Sequence, residues 1–262
     1  MKPIKKYFTF FLILALTACS TVPLTGRRQL SLVDENQIQQ EAAQAYSQFL
    51  KDPSTKVVNS GSDAQRVKTV GNRIAAAINR FLQENGYADQ YNYKWEFNLV
   101  QSKDINAWCM PGGKVAVYTG ILPVTKNDAG LATVMGHEIA HAIAHHSAER
   151  ASQMMAAQLG GGLVGVASGG SEIIGQLYGL GGQLALLKYS RNQESEADRL
   201  GLIFMAMAGY DPASAVDFWQ RMASAKEGSG APPEFLSTHP SDETRIRDIQ
   251  KRLPEAQKYY KK

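Results

Sequence analysis

The sequence predicts an α+β domain, mainly helical, with a small β-sheet early in the chain and helices making up its second half. Two observations carry this expectation. Strand-like alternation of apolar and polar residues is confined to the stretch between Tyr93 and Thr119, and apolar residues recur at helical spacing on either side of it. Composition agrees: the 262 residues are 44% hydrophobic and 20% charged, with 23 Gly, 10 Pro and 2 Cys. A disordered chain, a collagen-like chain and a disulfide-stapled mini-protein are thereby excluded. The formal charge is +4, but Lys2, Lys5 and Lys6 precede residue 19, where no acidic residue occurs. Without them 25 basic residues face 24 acidic ones, so the electrostatic footprint of nucleic-acid binding is missing.

Taken in order, Met1–Lys6 is basic and Tyr7–Leu16 apolar, a run too short for a spanning helix and typical of a secretory signal peptide over residues 1–18. The tetrad Leu16-Thr17-Ala18-Cys19 resembles a bacterial lipobox. That resemblance implies cleavage before Cys19, lipid on Cys19 and, with Ser20 next, a lipoprotein of the bacterial envelope facing the periplasm from the outer membrane. The plainer alternative is a signal peptide followed by an incidental cysteine. With Cys19 lipidated, Cys109 is the one thiol left and no intramolecular disulfide forms. Residues 19–33 are then expected to be an extended, lipidated tether and residues 34–262 a single domain.

Asp34–Leu50 and Ala64–Asn85 read as helices, the second from Val67, Val70, Ile74 and Ile78. A linker rich in Ser, Asn and Gly joins them. Tyr93–Val100 and Lys114–Thr119 read as strands, the latter following the turn Pro111-Gly112-Gly113. Ala129–Ala151, Glu194–Gly209, Pro212–Lys226 and Ser241–Leu253 read as helices, with Asp211-Pro212 and Ser241 as start signals. Ala151–Leu187 stands apart, with one charge, Glu172, and 10 glycines in 37 residues. A membrane span, a glycine-hinged lid and a pair of buried helices all remain open for it.

The chemistry concentrates in the histidines. Four of the five lie between His137 and His146, and the fifth is His239. On a helix His137 and His141 share one face and can hold one ion, while Glu138 stands beside it, placed to take a proton from water. This is the HExxH arrangement, with zinc as the default metal. A catalytic zinc needs a third protein ligand. The metzincin continuation fails, because Ala144 and Ser147 stand where it requires glycine and histidine. His145 is a weak candidate, about 80° round the helix from His137. Glu194 is a better one, opening a new helix with Asp198 one turn on, where it can accept the spare N–H of a ligating histidine. Glu196 points about 200° away from Glu194 and is expected on a solvated face.

HEIAH followed by Glu194 and Asp198 resembles the gluzincins. The fuller set resembles the HtpX and CAAX-prenyl-protease family of zinc metallopeptidases, in particular its periplasmic lipoprotein and BepA-like branch. That set is Asn106-Ala107 with Pro111-Gly112-Gly113, then HEIAH, then Ser190–Arg199, then Thr238-His239-Pro240 with Arg245, and Leu24–Leu30 at the start. The resemblance implies a zincin-type peptidase domain with its sheet beside the HExxH helix. It implies one zinc per chain on His137, His141 and Glu194, and Glu138 as general base. It further implies His239 near the metal, as oxyanion stabiliser or as occupant of the open position in a latent state. Arg245 is implied near the substrate, and Asn106 and Ala107 at an edge that takes an extended peptide. The implied activity is endopeptidase cleavage of unfolded or misfolded envelope proteins. The rival is an envelope chaperone or assembly factor with a structural zinc.

Overall fold

The computed structural model describes residues 19–22, 25–160, 189–227, 234–239 and 243–260. The apolar leader and most of the glycine-rich stretch, on which a signal peptide and a span or lid were expected, lie outside them. Among the described residues no helix is long and apolar enough to cross a membrane.

The predicted α+β class holds, with a four-stranded sheet set into a helical body. Strands β3 (Val57–Val58), β4 (Glu96–Val100), β5 (Ala107–Met110) and β6 (Lys114–Tyr118) lie in the order β3-β4-β6-β5. β4 and β6 run parallel, in register from Glu96 opposite Lys114 to Val100 opposite Tyr118. β6 follows the expected turn at Pro111-Gly112-Gly113, and β5, which was not foreseen, precedes it to form an antiparallel hairpin, with both glycines at positive φ. Alternation along the strands sorts side chains onto two faces. Trp108, Met110 and Ala116 pack under helix α1 (Glu35–Lys51), where Tyr46 donates its hydroxyl to the Val115 carbonyl at 2.7 Å. Phe97, Leu99, Cys109, Val115 and Val117 face the larger core, shared with α2 (Ser62–Glu84) and α4 (Asp128–Ile143). A short helix, α3 (Leu122–Thr125), joins β6 to α4.

The stretch read as a tether is instead folded. β1 (Cys19–Thr21) and β2 (Arg28–Leu30) pair antiparallel, and Val22 and Gln29 are buried. The reason is Arg27, whose guanidinium reaches carboxylates on two helices of the body.

The long helix expected over Ala129–Ala151 also divides. α4 ends at Ile143, His145 takes φ 55°, and α5 (His146–Gly160) starts in a new direction. No glycine marks the stop. Two tyrosine hydroxyls reach carbonyls at this helix end, Tyr91 donating to Ile143 at 3.0 Å and Tyr93 to Ala142 at 2.6 Å, the latter shared with the His145 N–H. His145 packs edge-on against Tyr91 and pairs with Glu35 at 3.1 Å.

The remaining helices are α6 (Arg191–Met207), α7 (Ser214–Glu227), α8 (Glu234–Thr238) and α9 (Glu243–Gln257). α6 starts from a full capping box between Ser190 and Gln193. Near the other end of the same chain segment, α7 begins two residues later than Pro212, because Asp211 and Pro212 form a turn first; the start signal Ser241 lies outside the described residues.

α4 and α6 cross at two glycines. A Cβ built on Gly136 would lie 2.9 Å from the Gly201 carbonyl oxygen, and one on Gly201 would lie 2.9 Å from the His137 backbone nitrogen. Both are distances that backbone atoms cannot relieve without moving a helix. Alanine at Gly201 would gain up to ~1 kcal/mol of helix propensity, but overpacking at a rigid contact costs ~1–3 kcal/mol. Gly201→Ala is therefore expected to lower the unfolding free energy measured by denaturant titration. A more stable variant would show that the two helices are free to separate.

Candidate metal centre

Four elements converge on one buried point. α4 supplies His137, Glu138 and His141; α6 supplies Glu194 and Asp198; His239 follows the end of α8, and Arg245 lies on α9. His137, His141, Glu194 and His239 each offer one donor atom, and these atoms lie within 4.8 Å of one another. His137 Nε2 is 3.2 Å from His141 Nε2 and 3.2 Å from His239 Nδ1. Glu194 Oε1 is 3.3 Å from His141 Nε2 and 2.8 Å from His239 Nδ1. Bonds of 2.0–2.1 Å to a tetrahedral zinc put neighbouring donors ~3.3 Å apart, so this quartet fits such an ion. The Oε1 atom of Glu138 is buried beside this quartet without a hydrogen-bond partner, 3.4 Å from His239 Nε2.

The rings are held from behind. His137 Nδ1 lies 3.0 Å from Asp198 Oδ1, the contact foreseen for Asp198. Arg245 donates to both oxygens of Asp198, at 2.9 and 2.7 Å, and reaches Glu194 Oε2 at 3.1 Å. Its guanidinium stacks 3.5 Å over the Trp219 ring. Arg245 was expected beside the substrate; the structure instead buries it against these carboxylates, where it orients metal-site residues. Asn106 and Ala107, expected at a substrate edge, lie at the start of β5. Both are buried, and the sheet order leaves β5 as an edge strand paired only with β6 among the described residues.

Electrostatics follow from burial. Desolvation keeps His137 and His141 below the usual imidazole range and hence neutral, the form that binds metals. Glu194 is opposed by its own burial, yet the charge of His239 and polar contacts with His141 and His239 hold its carboxyl well below the usual range. Asp198 is likewise held low against burial, by Arg245. Glu138 differs. Desolvation pushes it up to about 7, even though the nearby His239 and the Cys109 backbone N–H act to lower it.

Several residues at the centre escaped the sequence reading. Tyr189 stacks on the His141 ring at 4.0 Å and shares a hydrogen bond with Ser147. His146 contacts His141 Nδ1 at 2.8 Å. Glu196, expected on a solvated face, is 8% exposed and bonds His146 at 2.9 Å. The missed signal was the acid-rich run Glu194-Ser195-Glu196-Ala197-Asp198, which puts carboxylates on two faces of a helix enclosed on both. His145, the weaker ligand candidate, points to Glu35 instead.

This constellation defines a metallopeptidase of the zincin type. The chain belongs to peptidase family M48, whose signature it matches over residues 62–253. It is 35% identical over 242 residues to the mitochondrial metalloendopeptidase OMA1 of Schizosaccharomyces pombe, covering 90% of this chain and 67% of that protein. It is 30% identical over 263 residues to the mitochondrial metalloendopeptidase OMA1 of Bos taurus, covering 95% and 48%. Identity to the putative beta-barrel assembly-enhancing protease of Vibrio cholerae is 29% over 222 residues, covering 79% and 42%. Apart from the fission-yeast protein, the chain spans about half or less of these relatives' length. Relatives named as mitochondrial in fungi, plants and animals overturn the expected placement in a bacterial outer membrane.

The raised Glu138 has a consequence for stability. Between its ordinary value of 4.5 and about 7 the folded, metal-free protein holds a proton that the unfolded chain releases, so this group costs stability as pH rises through that window. Glu138→Gln removes the cost. In chelator-stripped protein, the melting temperature of Glu138→Gln relative to wild type should be higher at pH 8 than at pH 5. An unchanged difference would show that Glu138 is not raised.

Proposed function

We propose that the protein is a zinc-dependent endopeptidase with one ion per chain, held by His137, His141 and Glu194. The observation that carries this reading is the buried donor quartet with Glu138 beside it. Zinc bound there would supply Lewis acidity, acidifying a water and polarising a peptide carbonyl. Glu138 accepts the proton of the attacking water and returns it to the leaving amine. In the metal-free protein its carboxyl lies near neutrality, and an adjacent cation favours the ionised form that a base requires. Asp198 and Arg245 keep the His137 ring in place. Asn106 and Ala107, on the edge strand, meet an extended substrate backbone. A strand edge that takes extended backbone suits unfolded or misfolded polypeptides, in keeping with a quality-control role and with the beta-barrel assembly-enhancing branch of the relatives. The apolar leader and Cys19 support attachment to a membrane through lipid on that cysteine.

One observation favours a latent form. His239 Nδ1 stands among the donors where a fourth ligand would be, and its Nε2 lies 3.4 Å from Glu138 Oε1. A site with four protein donors is closed, so cleavage requires His239 to withdraw. A non-catalytic assembly factor with a structural ion would share this closed geometry.

Casein cleavage by the zinc-loaded protein separates these readings. Wild type is expected to cleave, and Glu138→Gln to retain zinc with turnover lowered by at least ~100-fold. Faster cleavage by His239→Ala would establish latency, whereas slower cleavage with zinc retained would make His239 a stabiliser of the oxyanion. Zinc-loaded wild type and His239→Ala both without cleavage would overturn the endopeptidase reading.

A further inference from the structure

The N-terminal hairpin reaches the metal centre through a chain of polar contacts. We propose that Arg27, Glu196 and His146 form a positioning chain that fixes the His141 ring as a metal ligand, which makes the segment before the helical domain part of the site. This inference rests on the reading of His141 as a ligand.

Proton placement along the chain follows from geometry. His141 Nε2 faces the other donors; with a metal on that atom the ring would carry its hydrogen on Nδ1 and donate to His146 Nδ1, 2.8 Å away. His146 must accept there, so its own hydrogen is on Nε2, which donates to Glu196 Oε2 at 2.9 Å. Glu196 Oε2 is also 2.5 Å from Arg27 Nε, and its Oε1 accepts from the Thr25 hydroxyl. Arg27 Nη1 reaches Glu149 Oε1 on α5 at 3.0 Å, and Gln193 Nε2 donates to the other oxygen of Glu149 at 2.8 Å. His146 is fully buried and Glu196 nearly so. A carboxylate so placed keeps its charge only with a partner, and Arg27, next to Gly26 in the hairpin's turn region, supplies it.

The arrangement repeats the one behind the other histidine. His137 is backed by Asp198, and Asp198 by Arg245; His141 is backed by His146, then Glu196, then Arg27. The break between α4 and α5 makes the second chain possible. A continuous helix would turn His146 away from His141, whereas His145 at positive φ returns the backbone so that the two rings lie 4.9 Å apart.

The test uses the full chain, stripped with chelator and reloaded with zinc or cobalt. Variants are Glu196→Gln, Arg27→Gln and the milder Arg27→Lys. Zinc affinity is read by competition with a chromophoric chelator, ligand geometry from the visible bands of the cobalt form, and folding from the melting temperature without metal. Loss of a partner behind a ligating histidine costs ~10–100-fold in metal affinity, so Glu196→Gln and Arg27→Gln are expected to lose zinc affinity in that range. Their cobalt bands should shift at saturating cobalt, and Arg27→Lys should recover part of both. A lowered melting temperature with zinc affinity and cobalt bands like wild type would reduce the chain to a structural staple and overturn the proposal. Should Arg27→Gln fail to fold, Arg27→Lys and Glu196→Gln decide it by the same readouts. A wild-type protein that binds no zinc would defeat the metal-centre reading itself, a result distinguishable because it precedes any variant.

Discussion

The contact between Gly136 and Gly201 is the constraint on which the site depends. With glycine at both positions the two helix backbones approach more closely than ordinary side chains allow, and this fixes the distance across which their ligands face one another. Gly136 immediately precedes His137, and Gly201 lies seven residues after Glu194. The closest approach therefore falls beside the metal donors rather than at a helix end, and their positions inherit the rigidity of packed backbone. β5 adds a second wall, since the Cys109 amide donates to Glu138 and fixes the base against the sheet.

Charge accounts for much of the remaining design. Glu138, Glu194 and Asp198 are buried around a single guanidinium, that of Arg245. With neutral imidazoles and Glu138 ionised, this group carries a surplus of two negative charges, which a low-dielectric interior does not tolerate alone. A dication would balance it. Without one, the interior responds where it can: Glu138 retains its proton toward neutrality while His239 is drawn to the charged form by Glu194 and Glu138 against its burial. The same arrangement explains why Arg245 stacks on Trp219 and not in a substrate cleft.

The fold class, the HExxH helix, Glu194, Asp198 and the turn at Pro111 with the strand after it were legible because each rests on local periodicity or fixed spacing. The departures share a different origin. Nothing within a few residues of Ala144 ends a helix; the stop is imposed by Tyr91 and Tyr93, about fifty residues earlier in sequence. Glu196 looked solvated because spacing places it off the Glu194 face, but it cannot report that a second chain segment covers the opposite face. The stretch holding Arg27 read as an extended tether because that residue's partners, Glu149 and Glu196, lie more than a hundred residues on. Tertiary partners of single side chains are what a one-dimensional pattern omits.

The scatter of the donors along the chain bears on how such a protein is made. His137 and His141 emerge together, Glu194 follows more than fifty residues later, and His239 lies near the carboxyl end. A chain growing from its amino terminus holds two imidazoles without their carboxylate partner until α6 is complete, and Asp198, behind His137, waits longer still for Arg245. Contacts so far apart in sequence form late in folding. Assembly of the centre is therefore a report of finished folding, and a half-made chain has no means of attacking its neighbours on the ribosome.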